Sequence, residues 1–173
     1  MGYDEKIFKA KANIKARRLW LVFAILLTAN YGTDTANGAY SVSNYIIFVI
    51  LCWLPFVCGD ILLKKKGKDN DRYRLAFVIG YGIFYVFLLC TTTSPIAFTY
   101  ILPIISLIVI FKDEKFMIYC AVANMLSLIA SIAFHIFVLG QNTAVDHKNY
   151  QLQIACLLLC YIGYIMSVRH LTE

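Results

Sequence analysis

One apolar stretch, Phe116–Leu139, carries Cys120, Asn124, Ser127, Ser131 and His135 at intervals of three and four residues. At about 100° per residue these fall on one narrow stripe of a helix. An amide, two hydroxyls and an imidazole so arranged can hold a polar ligand, and an imidazole is the side chain that changes charge near neutral pH. Other stretches carry related stripes. Asn30, Thr33, Asp34 and Asn37 crowd the later half of Leu19–Ala36 and its exit, and Tyr81, Tyr85 and Thr92 align along Leu75–Thr93. Such groups cost free energy in hydrocarbon and normally face the inside of a helix bundle. Asn30, Asp34, Tyr85, Thr92, Tyr100, Asn124 and His135 are therefore the candidate lining of a cavity open to the outside. In the alternative they bond one another or loop water and hold nothing.

The remaining motifs are poorer in chemistry. Cys156, Cys160, Gly163 and Ser167 form a stripe of small residues in Gln151–Val168, the pattern that lets helix backbones approach closely. The 6 cysteines show no Cys-x-x-Cys and no paired histidine spacing, so neither a metal nor a redox site is expected. His-Glu-x-x-His, Gly-x-Ser-x-Gly and a Gly-rich phosphate loop are all missing, so neither an enzyme nor a cofactor is expected. Asp60 stands four residues before Lys64, the spacing of a helical ion pair.

The elements that must position these residues are apolar runs: Leu19–Ala36, Asn44–Leu63, Leu75–Thr93, Pro95–Phe111, Phe116–Leu139 and Gln151–Val168. A hydrocarbon core of about 30 Å needs roughly 20 apolar residues per helix, which predicts an all-α, polytopic bundle of six transmembrane helices. With the N-terminus inside, every one of the 16 Lys and Arg residues except Lys148 falls on the inner side, as the positive-inside rule requires. A five-span reading, without the weak first run, would put the basic N-terminus outside. The expected organisation is one membrane domain, 1–173: a cytoplasmic segment 1–18, spans over 19–168, and a cytoplasmic stub 169–173. The expected location is a cell membrane. The lipid bilayer is the first partner, and a small-molecule ligand from outside or within the membrane is the second.

Composition agrees. The chain is 61% hydrophobic with mean hydropathy +0.71, above the roughly 45–50% apolar content of soluble domains. The net charge of +6 comes from juxtamembrane anchors attractive to anionic lipid, and no nucleic-acid partner is expected. No cleavable signal peptide is evident, and Lys6 replaces the Ser or Thr of a myristoylation motif that would begin at Met1-Gly2. Thr91-Thr92-Thr93-Ser94-Pro95 and Lys112-Asp113-Glu114-Lys115 read as tight turns, with Pro95 at a first helical position. Pro55 and Pro103 lie inside spans, where each frees a carbonyl and can kink its helix.

Three stretches carry a family likeness: Ile14-Lys15-Ala16-Arg17-Arg18-Leu19-Trp20-Leu21-Val22-Phe23, Leu51-Cys52-Trp53-Leu54-Pro55-Phe56, and Tyr81-Gly82-Ile83-Phe84-Tyr85 through Thr93-Ser94-Pro95-Ile96-Ala97-Phe98-Thr99-Tyr100-Ile101-Leu102-Pro103. In order and spacing they resemble the six-span membrane region of clostridial-type methyl-accepting chemotaxis proteins. Similar regions are attached to diguanylate cyclases. The resemblance implies a sensory input module for signal transduction, a homodimer, and a cytoplasmic signalling partner reached through the last span. In that family the last span continues into a helical hairpin that controls a histidine kinase; here the sequence stops at Glu173. The resemblance supplies no ligand residues. A small transporter or channel-like protein is the alternative, since intramembrane Asn, Asp and His with kinking prolines also suit a pathway.

Overall fold

The computed structural model describes residues 3–92 and 94–172. Met1, Gly2, Thr93 and Glu173 lie outside the described residues, and with them the start of the myristoylation comparison, the middle of the Thr91–Pro95 turn and the end of the stub. The described chain is helical without strands: α1 (Tyr3–Ala36), α2 (Val42–Lys66), α3 (Arg72–Thr91), a 3-10 segment (Ala97–Ile101), α4 (Leu102–Ile108), a second 3-10 segment (Val109–Phe111), α5 (Glu114–Phe137) and α6 (Ala144–Thr172). Four helices are long and apolar enough to cross a membrane: Val42–Lys66, Arg72–Thr91, Glu114–Phe137 and Ala144–Leu171. Ala97–Phe111 is apolar but shorter. The chain packs as two compact units, Met1–Phe84 and Tyr85–Glu173, each described by itself below.

In the first unit, α1 and α2 form an antiparallel hairpin. Lys9 reaches Asp71, Arg17 reaches Asp60, and Thr28 accepts from the Trp53 indole at 2.9 Å, so rising numbers on α1 meet falling numbers on α2 and beyond. Gly38, at φ 82°, takes the left-handed turn that ends α1, and Ser41 caps α2 by accepting from the Asn44 N–H at 3.2 Å. The buried face of α1 is Ala12, Ala16, Trp20, Ala24 and Tyr31. Trp20 meets Phe77 and Tyr81 edge-on, and Tyr31 stacks on Phe48. α2 runs unbroken through Pro55. Outward, α2 exposes Ile46, Ile50, Leu54, Val57 and Ile61, a surface suited to lipid and costly in water.

The expected Asp60–Lys64 pair persists as attraction between charges, without an ion-pair contact among the described residues. Asp60 instead takes a two-point contact from Arg17: Nη2 donates to Oδ2 at 2.8 Å and Nε donates to Oδ1. The hairpin brings a planar guanidinium to the carboxylate, and its fork satisfies both oxygens where a lysine satisfies one.

In the second unit, α5 and α6 pack antiparallel, with Glu114 bonded to Arg169 and Asn124 to Tyr161. Asp113 caps α5 by accepting from the Phe116 N–H at 2.9 Å, directly after Lys112 turns through φ 50°. Two expectations fail in this unit. Pro95 lies in a turn rather than at a first helical position, whereas Pro103 does stay inside Ala97–Phe111, where the first 3-10 segment gives way to α4. The small stripe of α6 is not its packing face. Leu157, Tyr161 and Val168 are buried, whereas Cys156, Gly163 and Ser167 are exposed, Cys160 is half-buried, and a Cβ on Gly163 would meet nothing within 4 Å. Large side chains at four- and seven-residue spacing bury more apolar area than small ones, and they decide which way α6 turns.

Candidate functional site

The stripe on α5 is internal to the second unit: Cys120, Asn124, Ser131 and His135 are buried. Ser127, half-buried, bonds back to Ala123 O at 2.9 Å. Near the end of α5 a cavity of about 80 Å³ is lined by Thr92, Ser94, Ser131, His135, Gln141, Asp146, Asn149, Tyr150 and Gln153, with Leu89, Pro95, Ala97, Phe98 and Ile132 as its apolar wall. One water needs on the order of 10–15 Å³, so the space suits several waters or a small polar molecule.

His135 is held at both ring nitrogens. Its Nε2 lies 2.7 Å from Leu89 O and its Nδ1 lies 2.7 Å from Oε1 of Gln141. A neutral ring donates from one nitrogen only. With Nε2–H donating to Leu89 O, Nδ1 becomes an acceptor and calls for the NH₂ of Gln141; a charged ring donates at both ends and calls for the oxygen. Around this pair, Gln153 donates to Pro95 O at 2.8 Å, and the Tyr150 hydroxyl donates to Gln141 O at 3.1 Å. Both contacts tie α6 to the wall.

Of the residues proposed from sequence, Thr92 and His135 line this cavity. Tyr85 is fully buried, and its hydroxyl donates to Phe98 O at 3.0 Å. Tyr100 is half-buried in the first 3-10 segment, and Asn124 bonds Tyr161; none of the three lines the cavity. Asn30 and Asp34 belong to the first unit, where Asn30 is exposed and Asp34 half-buried. Their stripe is not the packing face of α1, because the alanines and Trp20 a quarter-turn away hold that position.

Sequence reasoning missed Gln141, Asp146, Asn149, Tyr150 and Gln153, of which the first four lie between the apolar runs Phe116–Leu139 and Gln151–Val168. A usable signal was present. Thr143-Ala-Val-Asp146 is a capping box: the Thr143 hydroxyl accepts from the Asp146 N–H at 3.2 Å, and the Asp146 carboxylate accepts from the Thr143 N–H at 2.9 Å. It starts α6 at Ala144 and sets Asp146, Asn149, Tyr150 and Gln153 on one face. Among the described residues no three His, Cys, Asp or Glu side chains are grouped to hold a metal ion. No family model, curated protein or solved structure matches this chain, so fold and site rest on its own residues.

Proposed function

We propose that this chain is the sensory input module of a multi-pass bacterial membrane protein, of the chemotaxis-transducer kind. It takes a small polar ligand in the cavity around His135 and passes a shift of α6 to a cytoplasmic partner. The observation that carries the reading is the cavity itself. His135 and Ser131 on α5, Thr92 after α3 and the first turns of α6 converge on one polar space. A ligand that prefers one arrangement of the His135–Gln141 pair would bias the seat of α6, and output follows as a population shift. The sequence resemblance supports this reading. The test is a fusion of the chain to a complete chemoreceptor signalling domain, read as kinase activity. His135→Ala and Tyr161→Phe should shift kinase output, and Leu158→Phe, on an exposed face of α6, should not. Unchanged output from all three removes the sensory reading.

The reading includes six spans with both termini cytoplasmic. Its support is the basic asymmetry, together with the length of Ala97–Phe111. A 3-10 helix rises about 2.0 Å per residue against 1.5 Å for an α-helix, so the two 3-10 ends stretch that segment to about 26 Å. In a cysteine-free background, Lys68→Cys should be labelled from inside only and Lys148→Cys from outside. The reverse pattern for either residue defeats the topology.

The broken Ala97–Phe111 segment favours one second reading, a small transporter, since discontinuous helices line substrate paths. Solute flux into vesicles carrying the chain, lost with His135→Ala, would select it.

A further inference from the structure

We propose that the groove between α1 and α2 at their basic end is a binding site for the phosphate headgroup of an anionic phospholipid. The groove has a volume of about 550 Å³. Its charge is unbalanced. Arg17, Arg18, Lys64 and Lys68 line it against the single carboxylate of Asp60, and Asp60 is already neutralised by the two-point contact from Arg17. Among the described residues no ion pair holds Arg18, Lys64 or Lys68. All three are exposed, so three cations converge on one concavity whose single lining carboxylate is already in contact with Arg17.

The third cation is placed rather than trailing. Gly67, at φ 93°, turns the chain straight after α2. The amide of Asn13, only 3% exposed, then donates to Lys68 O at 2.8 Å and to Asn70 O at 3.1 Å. A buried side chain on α1 thereby fixes the backbone that carries Lys68 beside Arg18 and Lys64.

The floor selects a lipid over a soluble phosphate. Ile14 and Leu63 line the same groove, and deeper along the two helices Ile25 and Val57 are exposed. Lys64 ends the apolar span of α2 and Arg18 precedes the apolar half of α1. These cations thus stand at headgroup height with hydrocarbon-compatible walls beneath. Scattered basic residues attract anionic lipid weakly and without a seat; convergence on an apolar-floored groove gives a seat.

Native mass spectrometry of the full chain in detergent tests this with phosphatidylglycerol, phosphatidylcholine of the same acyl chains, and soluble glycerol phosphate. Phosphatidylglycerol should be retained over phosphatidylcholine on the order of tenfold. The triple variant Arg18→Gln/Lys64→Gln/Lys68→Gln should abolish that preference, and the charge-matched Lys11→Gln/Lys15→Gln/Lys115→Gln should keep it. Lys68→Glu alone, in an exposed loop, should reduce it several-fold and serves if the triple variant fails to fold. Equal loss in both triple variants would mean diffuse attraction and overturn the site, as would equal retention of the two lipids. Displacement of phosphatidylglycerol by glycerol phosphate would overturn the lipid assignment in favour of a soluble phosphate ester.

Discussion

Gly80→Ala should loosen the first unit markedly, while Gly82→Ala, two residues along the same helix, should stabilise it slightly or leave it unchanged. A Cβ on Gly80 would sit 2.2 Å from Cβ and 2.7 Å from Cγ of Pro55, with the Pro55 Cα 3.5 Å away. A proline ring is tied to its own backbone and cannot swing aside, so α2 and α3 must separate. Overpacking of this kind costs about 1–3 kcal/mol and occasionally more. That outweighs the roughly 1 kcal/mol that alanine gains over glycine within a helix. A Cβ on Gly82 meets nothing within 4 Å, so only the gain remains. Gly59→Ala is intermediate: its Cβ would lie 2.9 Å from Cε2 of Tyr73, a side chain that can tilt. Thermal unfolding in detergent, followed by circular dichroism, should rank the variants Gly82→Ala, Gly59→Ala, Gly80→Ala from most to least stable. A Gly80→Ala protein that melts with the wild type refutes the close helix contact.

The same pair shows what the sequence could and could not convey. Pro55 inside an apolar run was visible, and so was a helix able to continue through it; its partner Gly80 was not, because no local rule links a proline to a glycine 25 residues on. The apolar runs located α2, α3 and α5 to within a few residues, since burial in lipid demands length and apolarity together. α1 was underestimated. Its basic first half is rich in Ala, Lys and Arg, good helix formers that need no apolar partner. The α5 stripe could be read because an amide or imidazole deep in a span must find a partner inside. The α6 stripe misled because cysteine, glycine and serine carry no such obligation. The Asn30–Asn37 stripe misled for a related reason: it ends a helix beside a loop. Thr33 and Thr35 there bond back to Ala29 O and Tyr31 O, so those hydroxyls are satisfied without burial. The far wall of the cavity stayed hidden behind one overlooked capping box.

Asn124 is where the two readings of the polar stripe separate, and a double-mutant cycle with Tyr161 distinguishes them. Asn124 Nδ2 donates to the Tyr161 hydroxyl, and the two residues are 7% and 1% exposed. Each single variant, Asn124→Ala or Tyr161→Phe, strands a buried polar group, at a cost of about 1–3 kcal/mol. The double variant strands neither, so it should be more stable than the sum of the singles predicts. Couplings between polar side chains in membranes run from about 0.6 kcal/mol on average to about 1.7. A bond this buried should lie toward the upper part of that range, read from unfolding of the four proteins in the same detergent. A ligand-binding Asn124 would behave differently. With its amide turned toward a solute, Tyr161→Phe would cost Asn124 nothing and the two changes would add. Coupling near zero would therefore return Asn124 to the ligand site that its stripe first suggested. Coupling near 1 kcal/mol makes it the bond that fixes α6 against α5, at the height where a shift of α6 would have to be resisted or released.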